Sequence, residues 1–335
     1  MGVRDSLGAV DWRARLADAG QWAASRLRFL AFRIDEDEAG YEKRGIEIVD
    51  PSACERLESG GRHFSRGFNA TMRDTRAREI AARIEQLDPE LRGFAFEGAG
   101  MALIVLDALL PPRRRFTNLL HGPGERWSPL MHIGAGWAYA RMGRIPQRPP
   151  DKLDPFFGWL LYDGAGFHEA YFKIDRFVEE QQRPEKLSGP GLRLFDQGVG
   201  RALLFDRGGD VEAVRDTIAA FAADRRADLW SGVGVCATYA GGLSEERLRM
   251  LRDLAGPHHL RLAQGSAFAV LGRARAGNPT PDAERASSVL CGLPFDEVAE
   301  RAEAALEHLS TAQDSPFEAW QARLRESFAT EFAPL

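Results

Sequence analysis

The sequence predicts an all-α protein, an αα-hairpin repeat array in the form of a tetratricopeptide-like solenoid or curved toroid with about 34 residues per repeat. Three observations predict it. A Gly-x-Gly string recurs as "FAFEGAGMAL" (94–103), "LMHIGAGWAY" (130–139), "LLYDGAGFHE" (160–169), "LFDQGVGRAL" (194–203), "DLWSGVGVCA" (228–237) and "RLAQGSAFAV" (261–270), the last copy ending in Ala. The first glycines, Gly98, Gly134, Gly164, Gly198, Gly232 and Gly265, lie 36, 30, 34, 34 and 33 residues apart. In the clearest copies, a helix stop and a second amphipathic helix follow the string. A phosphate-cradling glycine loop occurs once per fold, so this recurrence excludes a nucleotide loop.

Taken in chain order, an N-terminal helical segment is expected at about residues 8–32, within a region 1–48 that lacks the repeat motif. The array spans 49–310. It opens with a divergent unit, "DPSACERLESGGRHFSRGFNATM" followed by "DTRAREIAARIEQLD". Between the second and third glycine strings lies "RIPQRPPDKLDP", whose prolines make it a loop rather than a helix. "LFDQGVGRALLFDRGG" then pairs with "DVEAVRDTIAAFAADRR". In the next unit "DLWSGVGVCATYA" ends at Gly241-Gly242, and Ser244 caps "SEERLRMLRDLAG". Leu248, Leu251 and Leu254 recur at helical spacing, and Gly256-Pro257 stops that helix. A C-terminal capping helix is expected around 314–332, within a segment 311–335.

Glycine inside a helix costs about 1 kcal/mol relative to alanine, so packing must repay it. Positions 0 and +4 share a helical face, and the pairs Gly98/Ala102, Gly134/Ala138, Gly198/Ala202, Gly232/Cys236 and Gly265/Ala269 are small over small. Close helix approach on that face is the expected return.

Departures from a repeat column mark residues with another task. Position −1 reads Glu97, Ile133, Asp163, Gln197, Ser231, Gln264, and position +3 reads Met101, Trp137, Phe167, Arg201, Val235, Phe268. A polar row beside a mostly apolar one describes the inner wall of a ligand groove and, equally, helix contacts with polar edges. His168 stands where other copies have Ala or Cys, Glu169 replaces apolar residues at +5, and Arg201 is the one charge in its column. At −2, His132 and Asp196 stand among Phe96, Tyr162, Trp230 and Ala263. Glu97, His132, Asp163, His168 and Asp196 are therefore candidates for acid/base chemistry. Phe96, Trp137, Tyr162, Phe167, Glu169, Arg201, Trp230 and Gln264 are candidate ligand contacts. Plain structural roles compete: Glu169 with Lys173 and Gln197 with Arg201 are i,i+4 pairs. His168 and Asp163 on one repeat helix are expected to share a cavity, opened because an imidazole replaces a small residue.

A net charge of −5 invites neither nucleic acid nor an anionic membrane. Only four of the 44 cationic residues are Lys, and the run Arg113-Arg114-Arg115 reads as a solvated helix start. Cys54, Cys236 and Cys291 form no metal-ligand or disulfide spacing, so no metal, no cofactor and a cytoplasmic location are expected. No apolar run is long enough for a membrane span.

With "GFAFEGAGMAL", "HIGAGWAYAR", "DGAGFHEAYF", "FDQGVGRALLF", "RRADLWSGVGVCATYAGG" and "LAQGSAFA", nearly the whole chain resembles a bacterial family of unknown function found in enediyne biosynthetic gene clusters, the UnbL type. The resemblance implies a pathway and no catalytic residues: action on a linear polyene beside an iterative polyketide synthase, in forming the enediyne core. One expectation is an array that binds the polyene or polyketide intermediate, as a cofactor-independent acid/base enzyme. The alternative is a non-catalytic scaffold for the synthase or partner enzymes.

Overall fold

The computed structural model describes residues 23–111, 113–309, 315–329 and 331, and among them there are helices and no strands. Helix α1 covers 23–32, so 8–22 of the expected N-terminal segment lies outside the described residues. The chain continues through α2 (Tyr41–Arg44), α3 (Pro51–Arg73), α4 (Ala77–Ile84), α5 (Arg92–Leu109), α6 (Arg115–Leu120), α7 (Ser128–Arg141) and α8 (Leu160–Phe172). Then come α9 (Gly189–Asp206), α10 (Val211–Ala220), α11 (Ala223–Tyr239), α12 (Glu245–Ala255), α13 (His259–Ala276), α14 (Pro281–Leu290), α15 (Phe295–Ala304) and α16 (Pro316–Phe328).

Local chemistry explains the boundaries. Asp50 caps α3 by accepting from the Ser52 and Ala53 amides, with Pro51 in the first turn, where its missing N–H costs nothing. Ser244 caps α12 as expected, accepting from the Arg247 amide. Gly241 and Gly242 turn the chain after α11 at φ +77° and +94°, which L side chains rarely adopt.

The glycine-string helices pack side by side in chain order: α3 on α5, α5 on α7, α7 on α8, α8 on α9, α9 on α11, and α11 on α13. The operative glycines are positions 0 and +2, which point to nearly opposite sides of a helix. The first glycine lies against the position −1 carbonyl of the preceding helix: Gly134 on Glu97, Gly164 on Ile133, Gly198 on Asp163, Gly232 on Gln197, Gly265 on Ser231. The second lies against the position −3 carbonyl of the following helix: Gly100 on Met131, Gly136 on Leu161, Gly166 on Phe195, Gly200 on Leu229, Gly234 on Leu262. Each Gly-x-Gly thus joins its helix to both neighbours, its α-hydrogens turned toward carbonyl oxygens, a weakly favourable contact. The 0/+4 pairing therefore describes half of the interface.

The end helices follow the same rule. In α3, Gly67 at +2 meets Ala95 of α5, while position 0 is Ser65, since no glycine-string helix precedes it. In α13, Gly265 meets α11, while Ala267 fills +2, since none follows.

Helices α10, α12 and α14 follow α9, α11 and α13 and pack on one another as a second row. Between α7 and α8 the proline-rich segment replaces the second helix, and after α8 only the turn Asp175–Glu179 remains. The start of α3 meets the far ends of later helices: the Asp50 amide donates to the Gly208 carbonyl (3.2 Å), and Arg56 Nε to the Ala240 carbonyl (3.1 Å). The interior this encloses is filled by side chains. Phe64 of α3 lies 4.5 Å from Trp137 of α7, centroid to centroid, and Trp137 lies 5.1 Å from Phe167 of α8.

Candidate functional site

Positions −1 and +3 are four residues apart, so they share a helical face, and that face turns to the interior. The polar −1 row becomes a continuous hydrogen-bonded ladder. Gln264 Nε2 donates to Ser231 Oγ (3.0 Å), Ser231 Oγ to Gln197 Oε1 (2.9 Å), and Gln197 Nε2 to Asp163 Oδ2 (2.7 Å). Arg201, from the +3 column, closes on the other Asp163 oxygen. Helix α16 caps the ladder, Gln321 donating to Gln197 Oε1 (2.8 Å) and Arg325 to Gln264. Every donor points toward the Asp163 carboxylate, so the chain of bonds polarises in one direction and supports a buried negative charge.

Glu97 of α5 occupies the same row but stands outside the ladder, because Ile133 interrupts it. It is buried, and its Oε2 has no hydrogen-bond partner. Burial pushes its pKa up to about 7, against the pull of the Arg201 charge; Asp163 adds to the rise and the Trp137 indole opposes it. A further buried polar atom, Tyr239 Oη, is also unpartnered. Burial pushes Tyr239 up to about 12, with Arg273 opposing and Glu97 contributing. Cys236 is likewise pushed up to about 12 by burial, so it is a neutral thiol rather than a nucleophilic thiolate. Phe94 packs edge-on to Tyr239 at 5.4 Å, and Arg201 sits 5.1 Å over the Phe167 ring. The interior thus holds a carboxyl that burial raises to about 7, beside the Arg201–Asp163 ion pair.

The other predicted residues are distributed differently. His132 is saturated: its Nδ1 bonds the Ser128 carbonyl (2.7 Å) and its Nε2 accepts from the Asp154 amide (3.0 Å). Burial depresses its pKa to about 4. Asp196 is held by Arg225 Nη2 and Arg183 Nη2, both at 2.6 Å. Phe96 stacks on Trp127 (5.4 Å), Tyr162 packs on Trp159 (5.8 Å), and Trp230 is buried. These all belong to the −2 column, one residue and about 100° away from the ladder. Phe96, Tyr162, His132 and Asp196 accordingly meet connecting segments and flanking helices instead of the Glu97 cluster.

Asp163 and His168 do not share an opening. Asp163 is committed to Arg201 and Gln197, whereas the His168 ring packs edge-on to Trp137 (5.6 Å) and against Phe172 (4.9 Å). His168 Nδ1 lies 3.4 Å from Glu169 Oε1, and neither ring nitrogen makes a hydrogen bond. Burial lowers its pKa. Glu169 pairs with Lys173 at 2.5 Å, the plain i,i+4 role. No cavity had to open for the imidazole, because the 0/+4 face abuts the preceding helix and Trp137 provides the surface it covers.

Sequence reasoning placed Glu97, Asp163, Arg201, Trp137, Phe167 and Gln264 among its candidates. It did not select Gln197 and Ser231, although both stood in the polar column. Tyr239 was missed too; it lies four residues beyond +3, so extending that column by one turn finds it. Gln321 and Arg325 carry no repeat signal.

A family model described as "Protein of unknown function (DUF1702)" matches residues 23–328. The chain belongs to that family. No curated protein and no solved structure matches the chain. Among the described residues no three His, Cys, Asp or Glu side chains are grouped to hold a metal ion, and no helix is long and apolar enough to cross a membrane.

Proposed function

We propose that the protein acts in enediyne biosynthesis, binding a linear polyene or polyketide intermediate within an αα-repeat array and moving protons during core formation. The pathway rests on the resemblance of the glycine strings. The observation that carries the chemistry is Glu97: a buried carboxyl with a free oxygen, poised near pH 7 among Trp137, Phe167 and Tyr239. A polyene offers apolar surface to such aromatic side chains and needs protons delivered or removed along a carbon chain. Glu97 is the acid/base group in this reading, and Arg201 with Asp163 supplies a fixed charge that tunes it.

The regular first-glycine and second-glycine contacts support the repeat-array description. The scaffold reading has its own support, since Phe64, Trp137 and Phe167 fill the interior that a bound polyene would need. Incubating the purified protein with the linear polyene and searching for a new mass separates the two. Conversion that Glu97→Gln abolishes supports the enzyme; retention of the synthase in a pull-down, with no binding or conversion of polyene, supports the scaffold.

A further inference from the structure

The run Arg113–Arg114–Arg115 reads as a solvated helix start, but the structure divides it. Arg115 turns back to Asp107, Nη1 to Oδ1 at 3.1 Å, and the Asp107 carboxylate also accepts the amides of Arg115 (3.2 Å) and Phe116 (3.1 Å). Arg113 and Arg114 instead line a surface concavity of about 680 Å³ with Thr117, Asn118, His121 and Lys152. Among the described residues no carboxylate lines it. The acid whose charge reaches Lys152 is Asp107, which Arg115 and Phe116 already engage.

Arg44, Arg56, Arg183, Arg201 and Arg225 each face a carboxylate. Arg113, Arg114 and Lys152 make no ion pair among the described residues, in a chain whose acids outnumber its Lys and Arg by 49 to 44. Lys152 is exposed at the surface, and its pKa is lowered by partial desolvation and by the neighbouring Arg113 charge, with Asp107 opposing. A bound anion would relieve that repulsion. A concavity lined by one sign of charge concentrates the field on a ligand of the opposite sign. Planar guanidinium forks, an ammonium and the neutral donors of Thr117 and Asn118 are the set that oxyanions of phosphate accept from.

We infer that this basin binds a phosphate-bearing soluble ligand, a phosphate monoester or a pyrophosphate, with its oxyanions among Arg113, Arg114 and Lys152. The inference is independent of the reaction proposed for the interior. Isothermal titration with inorganic pyrophosphate at about 50 mM salt tests it, where screening is weak. Saturable binding is expected, weakened about tenfold or more by Arg113→Gln/Arg114→Gln. Lys186→Glu, an equal change in net charge at an exposed lysine elsewhere, should leave the affinity unchanged. Should the double variant not fold, Lys152→Gln carries the same expectation. Absence of wild-type binding, or equal weakening by Lys186→Glu, overturns the inference. So does sedimentation with phosphatidylglycerol vesicles that pyrophosphate does not compete, because the ligand would then be a lipid surface.

Discussion

Adding one methyl group at Gly232 and one at Gly272 should have opposite effects, although both glycines lie inside helices. At Gly232 an ideal Cβ would stand 2.6 Å from the Arg201 amide nitrogen and closer still to the Gln197 carbonyl oxygen. Both are backbone atoms of α9, so no side chain can swing away. Ordinary contact begins at 3.4 Å, so α9 and α11 must separate by 0.8 Å for the nitrogen alone and by more for the oxygen. A gap of about 0.5–1 Å forfeits a quarter to a half of the dispersion energy of the atoms it parts. Overpacking of this kind costs about 1–3 kcal/mol or more, against about 1 kcal/mol gained in helix propensity. Because the interface is backbone on backbone, the cost should fall at the upper end, so Gly232→Ala should lose about 2 kcal/mol net and roughly 3 °C in melting temperature. At Gly272 the nearest atom to a Cβ is Tyr239 Cε2 at 3.9 Å. Gly272→Ala should therefore gain a fraction of about 1 kcal/mol. Urea denaturation followed by circular dichroism reads both variants. Equal midpoints would refute the claim that these glycines exist for backbone contact.

Other expectations follow from the same structure. His132 is neutral in the fold, depressed to about 4 from 6.5, so its stabilisation is present above pH 6.5 and lost as pH falls through 4. The loss is about 3 kcal/mol, and His132→Gln should flatten that part of a pH–stability curve. Glu97 has the opposite sign: its contribution is full below pH 4.5 and lost as pH rises through about 7, a slope that Glu97→Gln should abolish. Arg201→Met strands the buried Asp163 carboxylate and should cost about 3–5 kcal/mol by chemical denaturation, most of it recovered in Arg201→Met/Asp163→Leu. His168→Ala strands no hydrogen-bond partner, so its cost should be limited to the space left beside Trp137 and Phe172, about 2 kcal/mol by thermal melting.

The all-helical class was legible because each Gly-x-Gly lies within an apolar helical run and recurs at a near-constant period. The Ser244 cap and the Gly241-Gly242 stop were legible because capping is local chemistry. The reason for the glycines was only half visible. Similarity at 0 and +4 can be read from a column, but that +2 faces a different helix depends on having a neighbour on each side. The same dependence explains the site. Nothing about Glu97 or Asp163 alone says that one is unpartnered and the other saturated; that follows from Ile133 interrupting the row and Arg201 crossing to Asp163. His132 and Asp196 broke their column for partners, Asp154 and Arg225, in segments with no repeat register. The ladder residues Gln321 and Arg325 come from a helix outside the repeat, so no internal comparison could find them.

The most direct test of the proposed chemistry is the titration of Glu97 itself. Infrared difference spectra of wild type and Glu97→Gln across pH isolate its carboxyl band, since burial keeps the protonated form in an apolar setting. The structure predicts a protonated carboxyl at pH 5 that ionises with a midpoint near 7. A band already ionised at pH 5 would contradict it, because the interior would then hold no group able to exchange a proton at neutral pH.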